Sequence, residues 1–218
     1  MYSDLELNYS PYLPKDKNAR ILDLGCGSGL LLEYLDFKGY TNILGVDVDE
    51  TVLLTVDSKF KNRIRHINNL LEFLNNENEK FDLIIAKDVI YYFPPENIMS
   101  YMHTIVEALN KNGCLIVEIF NGALLTAPYT AAKDYGIINM FTEQSVRSVL
   151  EYAGLGVDKV FGVRKTKRVG IKSIVYLTGV RIWHLVLKVI YLLERGLDDR
   201  NPTIFTKSII AVGRNSQT

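Results

Sequence analysis

Apolar runs rich in Ile, Val and Leu recur at 20–24, 43–47, 63–68, 81–86 and 114–120, each of strand length. Between them, apolar positions fall at helical spacing near 29–37, 50–60, 70–76 and 95–110. Strands that alternate with helices pair in parallel through right-handed crossovers, so the pattern predicts a doubly wound α/β sheet. "FTEQSVRSVLEYAG" (141–154) predicts a further helix, with Thr142 as its N-cap and Gly154 as its C-cap. The runs 155–163 and 203–212 supply two last strands. No internal repeat or low-complexity linker interrupts the series. Residues 1–218 therefore read as one domain, with 1–19 as an N-terminal segment and 164–202 as an insertion before the last strand.

One segment breaks the alternation. Residues 171–195, "IKSIVYLTGVRIWHLVLKVIYLLER", place Arg181, His184, Lys188 and Arg195 as a narrow basic stripe on a broadly apolar helix. The charges interrupt every stretch before the roughly 20 apolar residues a membrane span needs, so spanning is not expected. Ordinary packing against the core is the expectation. A lid or homodimer helix, or one lying on a membrane surface, are the alternatives. Just upstream, "VRKTKRVGIK" adds Arg164, Lys165, Lys167, Arg168 and Lys172, either a solvated basic loop or a contact for an anionic ligand or lipid headgroup.

Composition sharpens this picture in two places. A chain of 218 residues with 48% hydrophobic residues can bury one core. The net charge of zero hides a split: residues 1–158 carry 13 Lys/Arg against 22 Asp/Glu, which is −9, and residues 159–218 carry 12 against 3, which is +9. The C-terminal part thus faces something anionic, or packs against the acidic part of its own chain or of a partner subunit. The start "MYSDLELNYSPYL" lacks a basic, then apolar, leader pattern, and the two cysteines, Cys26 and Cys114, have no metal-ligand spacing. The expected setting is cytoplasmic, with the inner face of a membrane as its possible periphery.

The chemistry concentrates in "RILDLGCGSGLL" (20–31), where glycines stand at alternate positions after a strand. A dinucleotide fingerprint needs its third glycine at the sixth position from Gly25, which is Leu30 here; a phosphate loop needs Gly-Lys-Ser/Thr, which is absent. "ILDLGCGSG" followed by "GVDVDE" instead resembles the class I S-adenosylmethionine-dependent methyltransferases, over most of residues 18–160. The resemblance implies a Rossmann-like, mostly parallel seven-stranded sheet with its last strand antiparallel. It also implies S-adenosylmethionine as cofactor and S-adenosylhomocysteine as product. Gly25, Cys26, Gly27 and Gly29 would wrap the methionine part, since side chains at 25, 27 and 29 would obstruct a bulky sulfonium amino acid. Asp23 would face its ammonium group, and Asp47, 22 residues after Gly25, would accept from both ribose hydroxyls. Val48 would lie on the adenine. Asn69 stands where the family has an aspartate for the adenine amine, in "NLLEFL", and Asn69, Leu70 and Lys87 complete the expected cofactor set. Asp49 reads as a helix N-cap.

Transfer from a sulfonium is an in-line displacement that needs alignment and exclusion of water, and no nucleophilic triad is visible. The acceptor side should lie outside the carboxyl ends of strands four and five, at "AKDVIYYFPPE" and "EIFNGALL". That selects Asp88 as proton acceptor or loop cap, Tyr91 and Tyr92 as pocket walls, and Asn121 as a hydrogen-bonding group. His103 reads as a surface residue, and Tyr9 and Tyr12 as a flap. The Asn/Asp-Pro-Pro-aromatic motif of DNA amino-methylation is missing after strand four, so DNA is not the expected partner; a full set of metal ligands is not apparent either. The second half also resembles methyltransferases of bacterial surface-polysaccharide biosynthesis. Asp134 matches the aspartate of their Asp-x-Thr-His-Glu block, while Ile137 replaces its histidine. The expected acceptor is a small molecule or glycan, anionic in one version and methylated on a hydroxyl. N-methylation of a metabolite or lipid-linked amine, RNA methylation, and a cofactor-binding scaffold without turnover are the alternatives.

Overall fold

The computed structural model describes residues 2–166, 171–198 and 200–216. Lys167 and Arg168 of the basic run lie outside these residues. Strands β1 (Ile21–Leu24), β2 (Ile43–Asp47), β3 (Ile64–His66), β4 (Phe81–Lys87), β5 (Leu109–Phe120), β6 (Leu155–Gly162) and β7 (Ser208–Asn215) form one sheet in the order β3-β2-β1-β4-β5-β7-β6. β7 runs antiparallel to both its neighbours; the other pairings are parallel. This is the Rossmann-like sheet that the alternation and the resemblance implied.

The helices are α1 (Ser3–Tyr9), α2 (Leu30–Phe37), α3 (Val52–Thr55), α4 (Leu70–Asn75), α5 (Ile98–Glu107), α6 (Ala127–Lys133), α7 (Glu143–Tyr152) and α8 (Ile171–Arg195). Period-two alternation in the strands divides the core. Leu22, Ile84, Leu115 and Ile209 pack with α4, α5 and α7 on one face. Ile21, Leu83, Ile116 and Ile210 pack with α1 and α2 on the other. The chain winds outward from β1 through β2 to β3, then returns to β4 on the opposite side of β1. The carboxyl ends of β1 and β4 therefore border the crevice where such sheets bind ligands.

Several boundaries differ from the sequence pattern. The helix expected over 50–60 is only α3 followed by a 3₁₀ turn (Ser58–Arg63), because Asp57 leaves the helical region (ψ 134°) and its carboxylate accepts from Lys59 N at 2.9 Å. The helix expected over 95–110 starts with a 3₁₀ turn (Pro95–Asn97) and stops at Glu107. β5 begins at Leu109 rather than 114, the chain bending at Asn112 (φ 63°) and at Gly113, where a Cβ would meet Asn110 O at 2.7 Å. The last strand starts at Ser208, not 203. Residues before it are held off the sheet: Glu143 accepts from Thr203 N and Ile204 N, and Asn121 donates to Ile204 O and Thr206 O. The α7 boundaries agree with expectation. Thr142 accepts from Ser145 N while the Ser145 hydroxyl accepts from Thr142 N, and Gly154 takes φ 94°.

The expectation of ordinary core packing for 171–195 is overturned. Among the described side chains of α8, Leu187 alone is fully buried, and most of the helix is exposed. The spacing of the charges also misled: Ile174–Arg195 has a mean hydropathy of 1.4 with no more than two charges in its most apolar 18 residues, long and apolar enough by length and composition to cross a membrane.

Candidate active site

β1 delivers the chain into the glycine loop, and the loop is tied to β2 at once. Gly25 N and Cys26 N both donate to Val46 O, at 2.8 and 3.0 Å. Gly25, Gly27 and Gly29 all take positive φ, at 73°, 50° and 82°. At Gly25 the need for glycine is doubled, since a Cβ would lie 2.3 Å from Val89 Cγ2. At Gly27 a Cβ would meet nothing within 4 Å, so this part of the loop faces open space. Gly27 N donates to Asp47 Oδ2 at 2.9 Å and Asp49 N to Asp47 Oδ1 at 3.0 Å. The carboxylate thus fixes the loop to the end of β2, and each oxygen keeps a lone pair for a ligand hydroxyl.

A cavity of about 350 Å³ opens beside this tie. It brings Gly25, Asp47, Val48, Asn69 and Leu70 together with Asp88 and Tyr92. Two of the expected cofactor residues, Cys26 and Lys87, are turned elsewhere. The Cys26 side chain is buried beneath β2, where a Cβ on Gly45 would touch its sulfur at 3.0 Å; burial pushes its thiol well above the usual range. Its N–H is already given to Val46 O, so neither group is presented to a ligand. Lys87 lines a different cavity. Asn69 Oδ1, expected to accept from the adenine amine, also accepts from Glu72 N at 3.1 Å and caps α4. One lone pair of that oxygen and the amide nitrogen remain for a ligand.

Asp23 lies beneath the loop, 3% exposed. Its Oδ2 is the buried side-chain oxygen without a hydrogen-bond partner among the described residues. Burial first, and the Asp47 charge second, push its carboxyl up to about 7. An orphaned, desolvated carboxylate under an open backbone cradle suits a small cation such as an ammonium group, so the residues present fit S-adenosylmethionine. An ammonium beside Asp23 stabilises its ionised form, so below about pH 7 binding must expel a proton and affinity must fall. Calorimetry at pH 6 in buffers of different ionisation enthalpy is expected to show this release, and Asp23→Asn to abolish it while binding about tenfold more weakly.

The second cavity, about 430 Å³, lies beyond β4 and is lined by Lys87, Asp88, Tyr91, Glu118, Phe120, Lys165 and Lys207. Asp88 follows β4 with φ 58°, a conformation that costs a non-glycine residue free energy, and its N–H donates to Glu118 O at 2.8 Å. Lys87 Nζ pairs with Asp88 and stands 3.6 Å from Glu118 Oε1. The Tyr9 hydroxyl, from α1, donates to Glu118 Oε2. Burial raises the Glu118 carboxyl, and the Lys87 charge and the Tyr9 hydrogen bond oppose it. Glu118 and Tyr9 were not expected here; the signal in the sequence is a lone acid inside the apolar run "LIVEIF". Tyr9 and Tyr12 form no flap over the cofactor cavity. Tyr9 is buried against β5, and Tyr12 stacks on Phe161 with centroids 5.7 Å apart. His103 is exposed, in line with the sequence pattern.

Tyr92 donates to Asp134 Oδ2 at 2.6 Å, and burial, then that hydrogen bond, push its phenol up to about 12. It stays a donor near neutral pH. Asn121 is 1% exposed and makes three hydrogen bonds: Nδ2 donates to Ile204 O (2.7 Å) and Thr206 O (3.1 Å), and Oδ1 accepts from Ala123 N (2.9 Å). These bonds hold the 203–207 segment and leave the side chain buried rather than open to either cavity. Asn121→Ala is expected to cost roughly 2 kcal/mol of stability, through broken and orphaned hydrogen bonds, and to leave cofactor affinity unchanged; thermal unfolding and calorimetry check the two parts.

The comparisons with known proteins agree with this geometry. The profile of a family described as a methyltransferase domain matches residues 2–160. A ubiquinone biosynthesis O-methyltransferase of Bartonella tribocorum is 33% identical over 122 residues, 54% of this chain and 48% of that protein. The mitochondrial ubiquinone biosynthesis O-methyltransferase of Rattus norvegicus is 28% identical over 174 residues, 72% of this chain and 49% of that protein. The chain thus spans about half the length of these curated relatives. In fold, it superposes on a SAM-dependent methyltransferase from Archaeoglobus fulgidus with a TM-score of 0.69 at 19% identity, covering 96% of this chain and 91% of that one. It also superposes on the N-methyltransferase NodS of Bradyrhizobium japonicum in complex with S-adenosyl-L-homocysteine, with a TM-score of 0.59 at 15% identity, covering 99% and 85%. A glycine loop tied to Asp47, an orphaned Asp23 and a family match over residues 2–160 lead to one conclusion: this chain belongs to the class I S-adenosylmethionine-dependent methyltransferases.

Proposed function

We propose that this domain methylates a hydroxyl oxygen of a small acceptor, with Asp88 as the proton acceptor. The observation that carries the reading is that Asp88 is the residue shared by the linings of the two cavities. One cavity is lined by Gly25, Asp47, Val48, Asn69 and Leu70 of the expected cofactor set and the other would take the acceptor, so Asp88 stands where the two reactants would meet. S-adenosylmethionine, when bound, supplies a methyl group already activated by its sulfonium. Asp23, Gly25, Gly27 and Asp47 would hold it, with Val48, Asn69 and Leu70 toward the adenine.

The chain's own residues then have three tasks: alignment, exclusion of water and acceptance of one proton. Asp88 takes the acceptor's hydroxyl proton on a carboxylate oxygen. Lys87 Nζ, set between Asp88 and Glu118, holds that carboxylate at the cavity boundary, and Tyr9 secures Glu118 from behind. Lys165 and Lys207 on the same wall favour an acceptor that carries negative charge. The names of the curated relatives, O-methyltransferases of ubiquinone biosynthesis, support oxygen as the methylated atom. A glycan hydroxyl is a second reading, favoured by Asp134, which Tyr92 holds at the edge of the cofactor cavity. A location peripheral to the inner face of a membrane is the one that the exposed α8 supports.

Transfer of labelled methyl to catechol, a monosaccharide and a primary amine tests the reaction. Label is expected in ether products. Label on the amine alone, or on none of the three with the cofactor bound, would overturn the reading.

A further inference from the structure

We propose that α8 seats this domain on an anionic lipid bilayer, lying in the headgroup region, and turns the lysine-lined cavity toward membrane-borne acceptors. α8 has 25 residues and is about 37 Å long. Ile174, Val175, Ile182, Trp183, Leu185 and Leu193 are all exposed, Trp183 at 49% and Leu185 at 62%. Only 6% of its most apolar window is buried. A soluble monomer rarely leaves so continuous an apolar surface to water.

The helix is nevertheless fixed to the domain, and by one face of its second half. The His184 and Tyr191 rings each lie 6.0 Å from Phe205, the Tyr191 hydroxyl donates to Ala123 O at 2.7 Å, and Leu187 is buried between them in sequence. With that half held against the loop that follows β5 and the segment that leads into β7, the helix does not thread a bilayer; its outer apolar surface can sink about 5–10 Å into an interface.

Charge names the occupant. Of the cations after residue 158, Arg214 pairs with Asp158, and Arg195 and Arg200 pair with Asp198. Lys165, Arg181, Lys188 and Lys207 form no ion pair among the described residues, and "VRKTKRVGIK" runs directly into the helix. An apolar helix entered through a cationic segment fits anionic lipid better than a second copy of the chain, which would bring equal positive charge to the contact.

The orientation follows from connectivity. Lys165, six residues before α8 begins, and Lys207, two residues after Phe205, both line the second cavity. The segments that carry the helix out of the domain and back therefore border the acceptor site. The substrate half of the proposal rests on the hydroxyl-acceptor reading given above; the seating half does not.

Flotation of the full chain with vesicles of equal parts phosphatidylcholine and phosphatidylglycerol tests the seating. The chain is expected to float with them and to bind phosphatidylcholine alone about tenfold more weakly. Combining Trp183→Glu with Leu185→Glu is expected to weaken vesicle binding about tenfold or more, with S-adenosylmethionine affinity by calorimetry unchanged, which shows an intact fold. A wild-type chain that stays unbound at low salt overturns the proposal. So does a double variant that floats like the wild type, or a stable dimer by light scattering that the two substitutions dissociate while no vesicle binding is seen.

The substrate half has its own readout. Transfer to a water-soluble phenol should be equal in the two proteins, and transfer to the same phenol on a long alkyl chain in vesicles about tenfold lower in the variant. Equal transfer from vesicles overturns the membrane-borne acceptor. Flotation without transfer to either phenol upholds the seating and sinks the hydroxyl-acceptor reading instead.

Discussion

Replacing Asp47 with alanine is expected to weaken S-adenosylmethionine binding about a thousandfold while the domain stays folded. The carboxylate does two things at once. It accepts from Gly27 N and Asp49 N, holding the glycine loop to the end of β2, and it keeps lone pairs for the ribose hydroxyls. Hydrogen bonds to a charged acceptor contribute roughly 1.5–3 kcal/mol each, so removing both ribose bonds at once costs about 4 kcal/mol of binding free energy. Asp47→Asn is expected to fall between the variant and the wild type, because one amide oxygen can still accept from Gly27 N. The loop sits at the rim of the sheet rather than in its core, so thermal unfolding should move little. Titration calorimetry on both variants reads the result directly. A folded Asp47→Ala protein with native affinity would remove the ribose assignment and, with it, the reading of the 350 Å³ cavity.

What the chain discloses without coordinates depends on the range over which each feature is decided. The glycine loop and Asp47 were legible because the requirement is local: a bend with positive φ directly after one strand, and an acid at the end of the next. The sheet order was legible for a similar reason, since alternation of strand and helix limits the topologies available. The functional use of Glu118 was not legible. It lines the second cavity beside Lys87, and the Tyr9 hydroxyl that bonds it comes from 109 positions away in sequence. Lys87 was read as a cofactor contact from its place after strand four; it points to the same face of the sheet as Asp23, but its Nζ is taken up by Asp88 and Glu118 in the second cavity, a pairing that only the neighbouring strand supplies.

Asn121 failed differently. An amide at the mouth of strand five looks available to substrate, and only the course of 203–207 shows that the side chain is buried with both its N–H groups given to backbone carbonyls. For α8 the pattern identified a helix with an apolar surface but said nothing of what covers that surface. The +9 charge of the tail was the better clue, because the acidic part of the same chain neutralises so little of it among the described residues.

Asp88→Asn is expected to lower kcat for a hydroxyl acceptor about a hundredfold and to leave S-adenosylmethionine affinity unchanged, since general-base assistance contributes on the order of a hundredfold or more. The substitution isolates the charge. Asparagine tolerates the left-handed region better than most residues, so the backbone at φ 58° and the hydrogen bond from the residue 88 N–H to Glu118 O are retained. Lys87 keeps Glu118 as its partner, which limits the disturbance behind the site. A loss of the base must also depend on the acceptor. With phenols that are already ionised at the assay pH there is no proton to take, and the deficit should vanish; with weakly acidic alcohols it should be largest. A purely structural role for Asp88 predicts one deficit for all acceptors. Glu118→Gln supplies the remaining comparison: Glu118 is buried and acts through Lys87, so its variant should lose about tenfold or less and show no such dependence on acceptor acidity. If instead the glutamine variant carries the larger, acidity-dependent loss, the proton goes to Glu118 and Asp88 only positions Lys87.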